Sequence, residues 1–281
     1  MSNIVVIYHH PCSDGFASML VAKKFLNFHC PNKEVEYIQG NYSESISPET
    51  FKGKYIYLLD FSWKADYLKK VLEVAEKVVI LDHHKTAKPE VEECKGYHNL
   101  DFVYDENKSG VGITHWYFYG ESSMPKLFQH VQDRDLWRFN LENTKEVSLY
   151  LMSIGFDESS WNLALANYES TVEKGKMLLE YHNSICEDIA SMATEVDLFN
   201  WKEKYGLIPL VQYCPGRMVS DVLHILAKGK PFSAAVLRKK DKLIYSLRAS
   251  DESEVDVSEI AKSFGGGGHK KAAGFTICHN K

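Results

Sequence analysis

Acidic and histidine residues follow three apolar segments of this chain, at the point where each segment ends. They are His9, His10, Cys12 and Asp14 after 4–8, Asp60 after 55–59, and Asp82, His83 and His84 after 78–81. Each segment is short and apolar, with β-branched or aromatic residues, which is typical of a strand. Parallel strands deliver their carboxyl ends to one edge of a sheet, so these side chains are predicted to converge. Crowded carboxylates repel one another, and a mixed set of histidine and aspartate suits a first-row divalent cation.

A fourth acidic group lies near the middle of the chain. Asp133 and Asp135 flank Arg134, and Trp137 follows them. A solvated loop with an internal ion pair is the ordinary interpretation of such a group. The large aromatic residue that follows favours a segment that packs inward.

A run of glycines near the end of the chain is followed by basic residues. Glycine allows positive φ and close backbone approach, so successive N–H groups of the run can form an anion-binding nest. A flexible linker is the alternative, but the strand-like segment 275–278 follows at once. The pattern therefore favours phosphate binding by Gly266, Gly267, Gly268, His269 and Lys270.

The elements that must position these residues alternate between strand and helix up to about residue 105. Strands that are apolar on both faces predict an α/β fold, with a mostly parallel sheet and helices on both of its faces. The next segment is helical, and the remainder returns to strands with one helix, 255–264, which predicts a smaller α/β domain. We predict a catalytic domain over 1–170, a helical connector over 171–194 and a substrate-binding domain over 195–281.

The charge of the chain is unevenly distributed. Its 281 residues carry a net charge of −5, but residues 201–281 hold 14 Lys or Arg and 8 Asp or Glu, a net of +6. The first 200 residues therefore carry −11. An acidic body and a basic terminal domain fit a cation site in the first part and a phosphate partner for the second.

The cysteines and the hydropathy of the chain indicate its cellular compartment. The six cysteines lie far apart and never as CxxC, and the chain starts with a strand-like segment without a basic leader. This pattern predicts a reducing, cytoplasmic setting. No apolar run approaches the roughly 18–20 residues that cross a bilayer, so we expect no membrane partner.

Together, Asp82-His83-His84 and the segment Gly265–Gly274 resemble motifs of the DHH phosphoesterase superfamily. The chain is similar to the two-domain branch that ends in a GGGH-x-x-AAG motif, which includes RecJ-type exonucleases and the shorter nanoRNases. The resemblance spans nearly the whole chain. It implies two metal ions, usually Mn²⁺, and hydrolysis of phosphodiester bonds by a hydroxide that both ions activate.

The resemblance also implies roles for the metal-site residues. Asp60 would bridge the two ions, and His9 or His10 would bind one of them. The other ion would be completed by Asp14, His83 and Asp133, with Asp133 preferred over Asp135 because an aromatic residue stands four positions after it.

Further roles concern the phosphate and the substrate. Asp82 would orient His83, and His84 would contact the scissile phosphate. Arg248 resembles the substrate-binding arginine of the family, and His269 with the glycines would hold a terminal phosphate or base. The phosphate backbone would be bound by Arg217, Arg248, Lys270 and Lys271.

Cys12 departs from the family pattern, because many members have an aspartate at this position. A thiolate is a softer ligand than a carboxylate, so it would shift the preference of this site from Mn²⁺ towards Zn²⁺ or Fe²⁺. Alternatively, Cys12 is a spectator and the site is weak.

The expected substrate is a short single-stranded oligonucleotide or a small nucleotide. One alternative is a phosphomonoesterase acting on pAp or another small phosphorylated molecule, and another is a catalytically weak nucleotide-binding module. A dinucleotide-binding Rossmann domain fits poorly, because the loop after the first strand lacks GxGxxG. A homodimer is one option for the assembly.

Overall fold

Five short apolar segments of the first part of the chain form one parallel sheet. The computed structural model describes residues 4–40 and 46–278. The strands are β1 (Ile4–His9), β2 (Val35–Gly40), β3 (Tyr55–Leu59), β4 (Lys77–Asp82) and β5 (Leu100–Tyr104). Their order is β2-β1-β3-β4-β5, and every neighbouring pair is parallel. The order reverses between β1 and β3, and ligands of open α/β sheets bind beyond the strand ends at such a reversal.

Helices cover both faces of this sheet. Along β1, Ile4, Val6 and Tyr8 face one hydrophobic core, and Val5 and Ile7 face the other. The first core is closed by α1 (Ser13–His29), α4 (Gly110–Tyr119), α5 (Lys126–Asp135), α6 (Thr144–Ile154) and α7 (Glu158–Ala166). The second is closed by α2 (Ala65–Leu72) and α3 (Ala87–Glu92). The predicted parallel sheet between two helical layers is confirmed.

The helix α8 (Tyr168–Ser191) contains most of the segment predicted as a connector. The chain divides into two compact units, Met1–Leu179 and Glu180–Lys281, and the division lies inside this helix. Within the described ranges, no helix is both long enough and apolar enough to cross a membrane.

The C-terminal unit is built on a six-stranded sheet. Its strands are β6 (Thr194–Val196), β7 (Ile208–Gln212), β8 (Ser233–Lys239), β9 (Lys242–Arg248), β10 (Gly267–His269) and β11 (Ala272–Cys278). The order is β10-β11-β9-β8-β7-β6, with β7 and β8 parallel and the other pairs antiparallel. The helices are α9 (Lys202–Tyr205), α10 (Val219–Ala227) and α11 (Val257–Ser263). The predicted smaller α/β domain is confirmed, although α10 was not among the predicted elements.

Candidate metal centre

The carboxyl ends of β1, β3 and β4 carry imidazole and carboxylate side chains at one edge of the sheet. His9 ends β1, Asp60 follows β3, and Asp82 ends β4 directly before His83 and His84. Asp60, Asp82 and His83 are buried. Side chains from three strand ends therefore lie together at the reversal of strand order, as predicted for most of them.

Asp14 is held by the start of α4. Its carboxylate accepts hydrogen bonds from the hydroxyl of Ser109, 2.7 Å away, and from the backbone N–H groups of Gly110 and Val111. The first N–H groups of a helix lack partners inside the helix and lie at the positive end of its dipole, so they suit a carboxylate. Ser109 and Gly110 were not among the predicted site residues. Serine followed by an apolar helical run was the available signal, because serine commonly precedes the first turn.

Gly110 is packed against the acidic side chains. A Cβ atom at this position would lie 2.5 Å from Asp60 Cβ and 2.8 Å from Asp14 Oδ2. A glycine is therefore required where α4 begins.

Asp60 lies at the middle of the cluster. Its Oδ2 is 3.3 Å from His9 Nδ1, and its Oδ1 is 3.2 Å from His83 Nε2 and 3.7 Å from His84 Nδ1. The φ of Asp60 is +55°. This left-handed conformation costs an L-residue about 1–2 kcal/mol, and aspartate is among the residues that tolerate it. The chain turns sharply here, and one carboxylate contacts three imidazoles.

Asp82 orients His84 rather than His83. Its Oδ1 is 2.7 Å from His84 Nδ1 and also accepts the backbone N–H groups of His83 and His84, at 2.8 and 3.1 Å. The predicted support of the His83 ring by Asp82 does not fit this arrangement, because Asp82 bonds the ring of the next residue. The ring of His83 instead contacts the carboxylates of the cluster directly.

The preference for Asp133 over Asp135 does not fit the structure. Asp133 is turned away, and its carboxylate accepts the N–H groups of Asn140 and Leu141 and the hydroxyl of Thr144, at 3.0, 3.1 and 2.6 Å. It ties down the loop that follows α5. Asp135, at the end of α5, places its Oδ2 3.4 Å from His83 Nε2. The two aspartates are two residues apart on a helix, so they point in different directions.

His9 reaches the cluster, and His10 does not. The ring of His10 packs edge-on against Phe156, with 4.9 Å between the ring centroids. Cys12 precedes α1 but belongs to none of the groups of candidate ligand atoms found among the described residues. Burial, with the nearby carboxylates, raises the pKa of the Cys12 thiol well above its usual value. The absence of Cys12 from these groups of ligand atoms favours its spectator role.

The carboxylates and imidazoles of the cluster shift one another's pKa values. Burial raises the pKa of Asp14 and Asp135, and the neighbouring carboxylates raise it further. Burial alone would raise the pKa of Asp60, but His83 and His9 hold it well below its usual value. For His83, burial acts to lower the pKa, but the adjacent carboxylates outweigh it and raise the pKa to about 10. Asp82 similarly raises the pKa of His84 to about 9 against the effect of burial.

The donor set fits divalent cations. Two groups of three residues, His9 with Asp60 and His84, and Asp14 with His83 and Asp135, each have ligand atoms within 4.8 Å of one another. Among the described residues, Asp60 Oδ1 and Asp135 Oδ2 are buried and accept no well-directed hydrogen bond. Buried carboxylate oxygens without donors are costly unless a cation covers them. Nitrogen and oxygen ligands in such groups suit a first-row divalent metal.

The C-terminal unit holds a groove that contains part of the predicted substrate site. It has a volume of 440 Å³, and Arg248, Gly267 and Gly268 line it. Arg248 is buried at the end of β9, and its Nη2 donates a hydrogen bond to Ser220 Oγ at 2.7 Å. Gly266 lies outside this lining, packed against the backbone of Gly274.

The glycine run does not form the predicted nest along its whole length. Gly267–His269 form β10, which pairs antiparallel with Ala272–Gly274. The φ of Gly265 is +76° and that of Gly268 is +140°. A Cβ on Gly268 would also lie 2.5 Å from the carbonyl oxygen of Ala272. The glycines therefore allow a close hairpin, a possibility that the sequence analysis did not include.

The predicted basic contacts are dispersed. Lys271 Nζ donates to backbone carbonyls of the 250–253 loop, so it supports that loop and does not fit the predicted phosphate contact. Lys270 is exposed in the turn after β10, and His269 is half-buried. Arg217 is exposed between β7 and α10, outside the lining of the groove.

Known proteins are similar to this chain over most of its length. Residues 210–281 match the DHHA1 domain family. An uncharacterized protein of Acanthamoeba polyphaga mimivirus is 32% identical over 97% of this chain and 67% of its own length. Oligoribonuclease NrnB of Bacillus subtilis is 22% identical over 96% of this chain and 72% of its own. Among solved structures, an exopolyphosphatase-related protein from Bacteroides fragilis is 15% identical, with a TM-score of 0.49 over 100% of this chain and 88% of that one.

The DHHA1 match and the similarity to an oligoribonuclease relate this chain to hydrolytic phosphoesterases. The chain belongs to the DHH phosphoesterase superfamily, in the two-domain branch that ends in a DHHA1 domain. Enzymes of this superfamily use divalent metals.

Proposed function

We propose that this protein is a metal-dependent phosphodiesterase that acts on short single-stranded oligonucleotides or related small nucleotides. The observation that carries this proposal is the pair of ligand groups around Asp60. Two such groups so close together suit a hydrolase that acts on phosphate with two cations. The similarity to an oligoribonuclease supports the choice of substrate class.

We assign one cation to each ligand group and expect Mn²⁺ to serve best. His9, Asp60 and His84 would hold one, and Asp14, His83 and Asp135 would hold the other. When bound, such cations lower the pKa of water towards neutrality and offset charge on phosphoryl oxygens.

The protein's own residues prepare the site for phosphate. Asp82 holds His84 through Nδ1, which leaves Nε2 for the scissile phosphate or for a cation. The start of α4 fixes Asp14, so this carboxylate needs no reorientation. Such preorganisation is where electrostatic stabilisation has its largest effect.

The C-terminal unit would supply substrate affinity. Arg248 lines a groove of 440 Å³ that is wide enough for a nucleotide, and residues 201–281 carry a net charge of +6. Arginine binds phosphate through planar, paired hydrogen bonds, and binding that depends on such contacts weakens as salt rises.

The proposal is tested by the products formed from two- to five-residue oligonucleotides, pAp and a cyclic dinucleotide with Mn²⁺, Mg²⁺ or Zn²⁺. We expect the oligonucleotides to be cleaved to mononucleotides with Mn²⁺, more slowly at high salt. Arg248→Ala should raise KM about tenfold with a smaller change in kcat, because it removes a charged contact. Release of phosphate from pAp without oligonucleotide cleavage would establish the phosphomonoesterase instead. Binding of these nucleotides without turnover under any of the three metals would establish a nucleotide-binding module instead.

The two aspartates of α5 are expected to respond differently to amide replacement. Asp135→Asn should lower both Mn²⁺ content and turnover, the latter about 100-fold, because Asp135 faces His83. Asp133→Asn should lower the free energy of unfolding by about 1–3 kcal/mol, since it loses an acceptor for the 140–144 loop. Metal analysis, denaturant titration and steady-state kinetics check these outcomes. The reverse pattern would restore Asp133 as the ligand.

Metal binding is expected to release protons. At pH 7.5 His83 and His84 are protonated without metal, because the pKa values of these imidazoles are raised to about 10 and about 9. A metal ligand must offer a free nitrogen, so Mn²⁺ must displace protons. Calorimetric titration in buffers of different ionisation enthalpy should give a release of at least about one proton. Apparent affinity should rise with pH up to about 9, and an affinity that is flat between pH 6.5 and 9 would contradict this prediction.

A further inference from the structure

A second cavity lies in the N-terminal unit between the later halves of α1 and α4 and parts of α5 and α7. Its volume is 650 Å³. Small-molecule sites typically measure about 300–1,000 Å³ and combine apolar walls with a few polar groups. The walls here are apolar, as at Leu20, Phe128 and Leu165, and polar groups such as Asn27 and Asn162 stand at the rim.

His115 is the most unusual group in this cavity. It is 7% exposed, and its ring stacks on Tyr119 with 5.2 Å between the centroids. Its ring nitrogens are not among the fully buried side-chain atoms that lack a hydrogen-bond partner, and His115 lines the cavity. These nitrogens are therefore accessible to a molecule in the cavity. Burial lowers the pKa of His115, so the neutral ring offers one donor and one acceptor.

The cationic groups of the cavity are not all neutralised. Lys23 pairs with Glu158 at 2.6 Å, both within the lining. Lys24 is exposed at the rim, and no carboxylate pairs with it in the part of the chain that the structure describes. The first 200 residues carry a net charge of −11, so a positive rim stands out against its surroundings.

The cavity is distinct from the metal centre. Asp14 and Lys24 are ten residues apart on α1, which corresponds to about 15 Å along a helix. None of the residues of the two metal-ligand groups lines it.

We propose that this cavity is a binding site for a small organic anion with a flat, hydrogen-bonding ring, the chemistry of a nucleoside monophosphate. The ring lies between the apolar walls, with its polar edge on His115, and the anionic group lies at the rim beside Lys24. The apolar body, the neutral imidazole and the lysine each match one part of such a molecule.

Calorimetric titration of the full-length protein with adenosine 5′-monophosphate, adenosine and inorganic phosphate tests this site. We expect the monophosphate to bind at least about tenfold more tightly than either fragment. Lys24→Glu should weaken its binding at least about tenfold, because it replaces attraction by repulsion. Ala166→Trp, at an exposed position of the lining, should block the cavity while leaving the fold intact.

The control is Lys52→Glu, an exposed charge reversal that lies outside the cavity and should leave binding unchanged. In proton NMR, the monophosphate should shift the resonances of the His115 ring. Lys24→Glu should abolish this shift. Binding that neither Lys24→Glu nor Ala166→Trp weakens would place the ligand elsewhere and overturn the proposal. Absence of binding at millimolar concentration, or equal binding of phosphate alone, would overturn it as well.

Discussion

Asp60→Asn is expected to lower turnover by more than about 100-fold, with loss of bound Mn²⁺. Asp60 contacts His9 and His83 and lies beside His84, so one amide removes a charge that faces ligands of both groups. Replacing a residue that hydrogen-bonds a metal ligand typically lowers metal affinity or activity about 10–100-fold. Replacing a ligand itself should lower them further. Asparagine also tolerates positive φ, so the turn after β3 should persist. Steady-state kinetics and metal analysis of the purified variant measure both effects.

The matched control is Asp66→Asn, which changes an exposed carboxylate in the first turn of α2. It should leave turnover and metal content unchanged. Circular dichroism should give the same helical content for both variants, because the replacement is close in size and shape. Near-normal turnover of Asp60→Asn with full metal content would remove Asp60 from the metal centre.

Gly110→Ala is expected to disable the site although it adds only one methyl group. The new Cβ would lie 2.5 Å from Asp60 Cβ and 2.8 Å from Asp14 Oδ2. Either α4 shifts and releases Asp14, or the carboxylates move apart. Overpacking of this kind costs about 1–3 kcal/mol, and a displacement near 1 Å at a reacting group can cost about 100-fold in rate.

Gly96→Ala provides the comparison, because a Cβ there would contact nothing within 4 Å. The free energy of unfolding from urea titration and kcat should both be close to the parent value for this control. Full activity and unchanged metal affinity in Gly110→Ala would contradict the prediction, because they would show that the metal centre does not depend on the position of the start of α4.

The sequence predicted the parallel sheet and the convergence of Asp14, Asp60 and His83, because strand ends in such a sheet share one edge. The preference for Asp133 over Asp135 did not fit, because both lie near the end of the same helix and only their contacts differ. The sequence also did not predict that Asp82 bonds the ring of His84. Side-chain direction after a strand depends on φ and on neighbours that are distant in the chain.

The glycine run was interpreted by composition, and composition alone does not distinguish a nest from a close hairpin. Pairing of Gly267–His269 with the following strand depends on a turn that the sequence marks only weakly. Ser109 and Gly110 were missed for a related reason, because their role depends on Asp14, which lies 95 and 96 residues earlier.

That separation also has a consequence during synthesis. Ribosomes add about 5–20 residues per second, so the N–H groups that hold Asp14 emerge roughly 5–20 seconds after it does. Until then, a nascent chain has no donors for this carboxylate and cannot bury it cheaply. The edge of the sheet that carries the cluster should therefore close late, and ribosome-bound chains that stop before residue 110 should leave Asp14 in water.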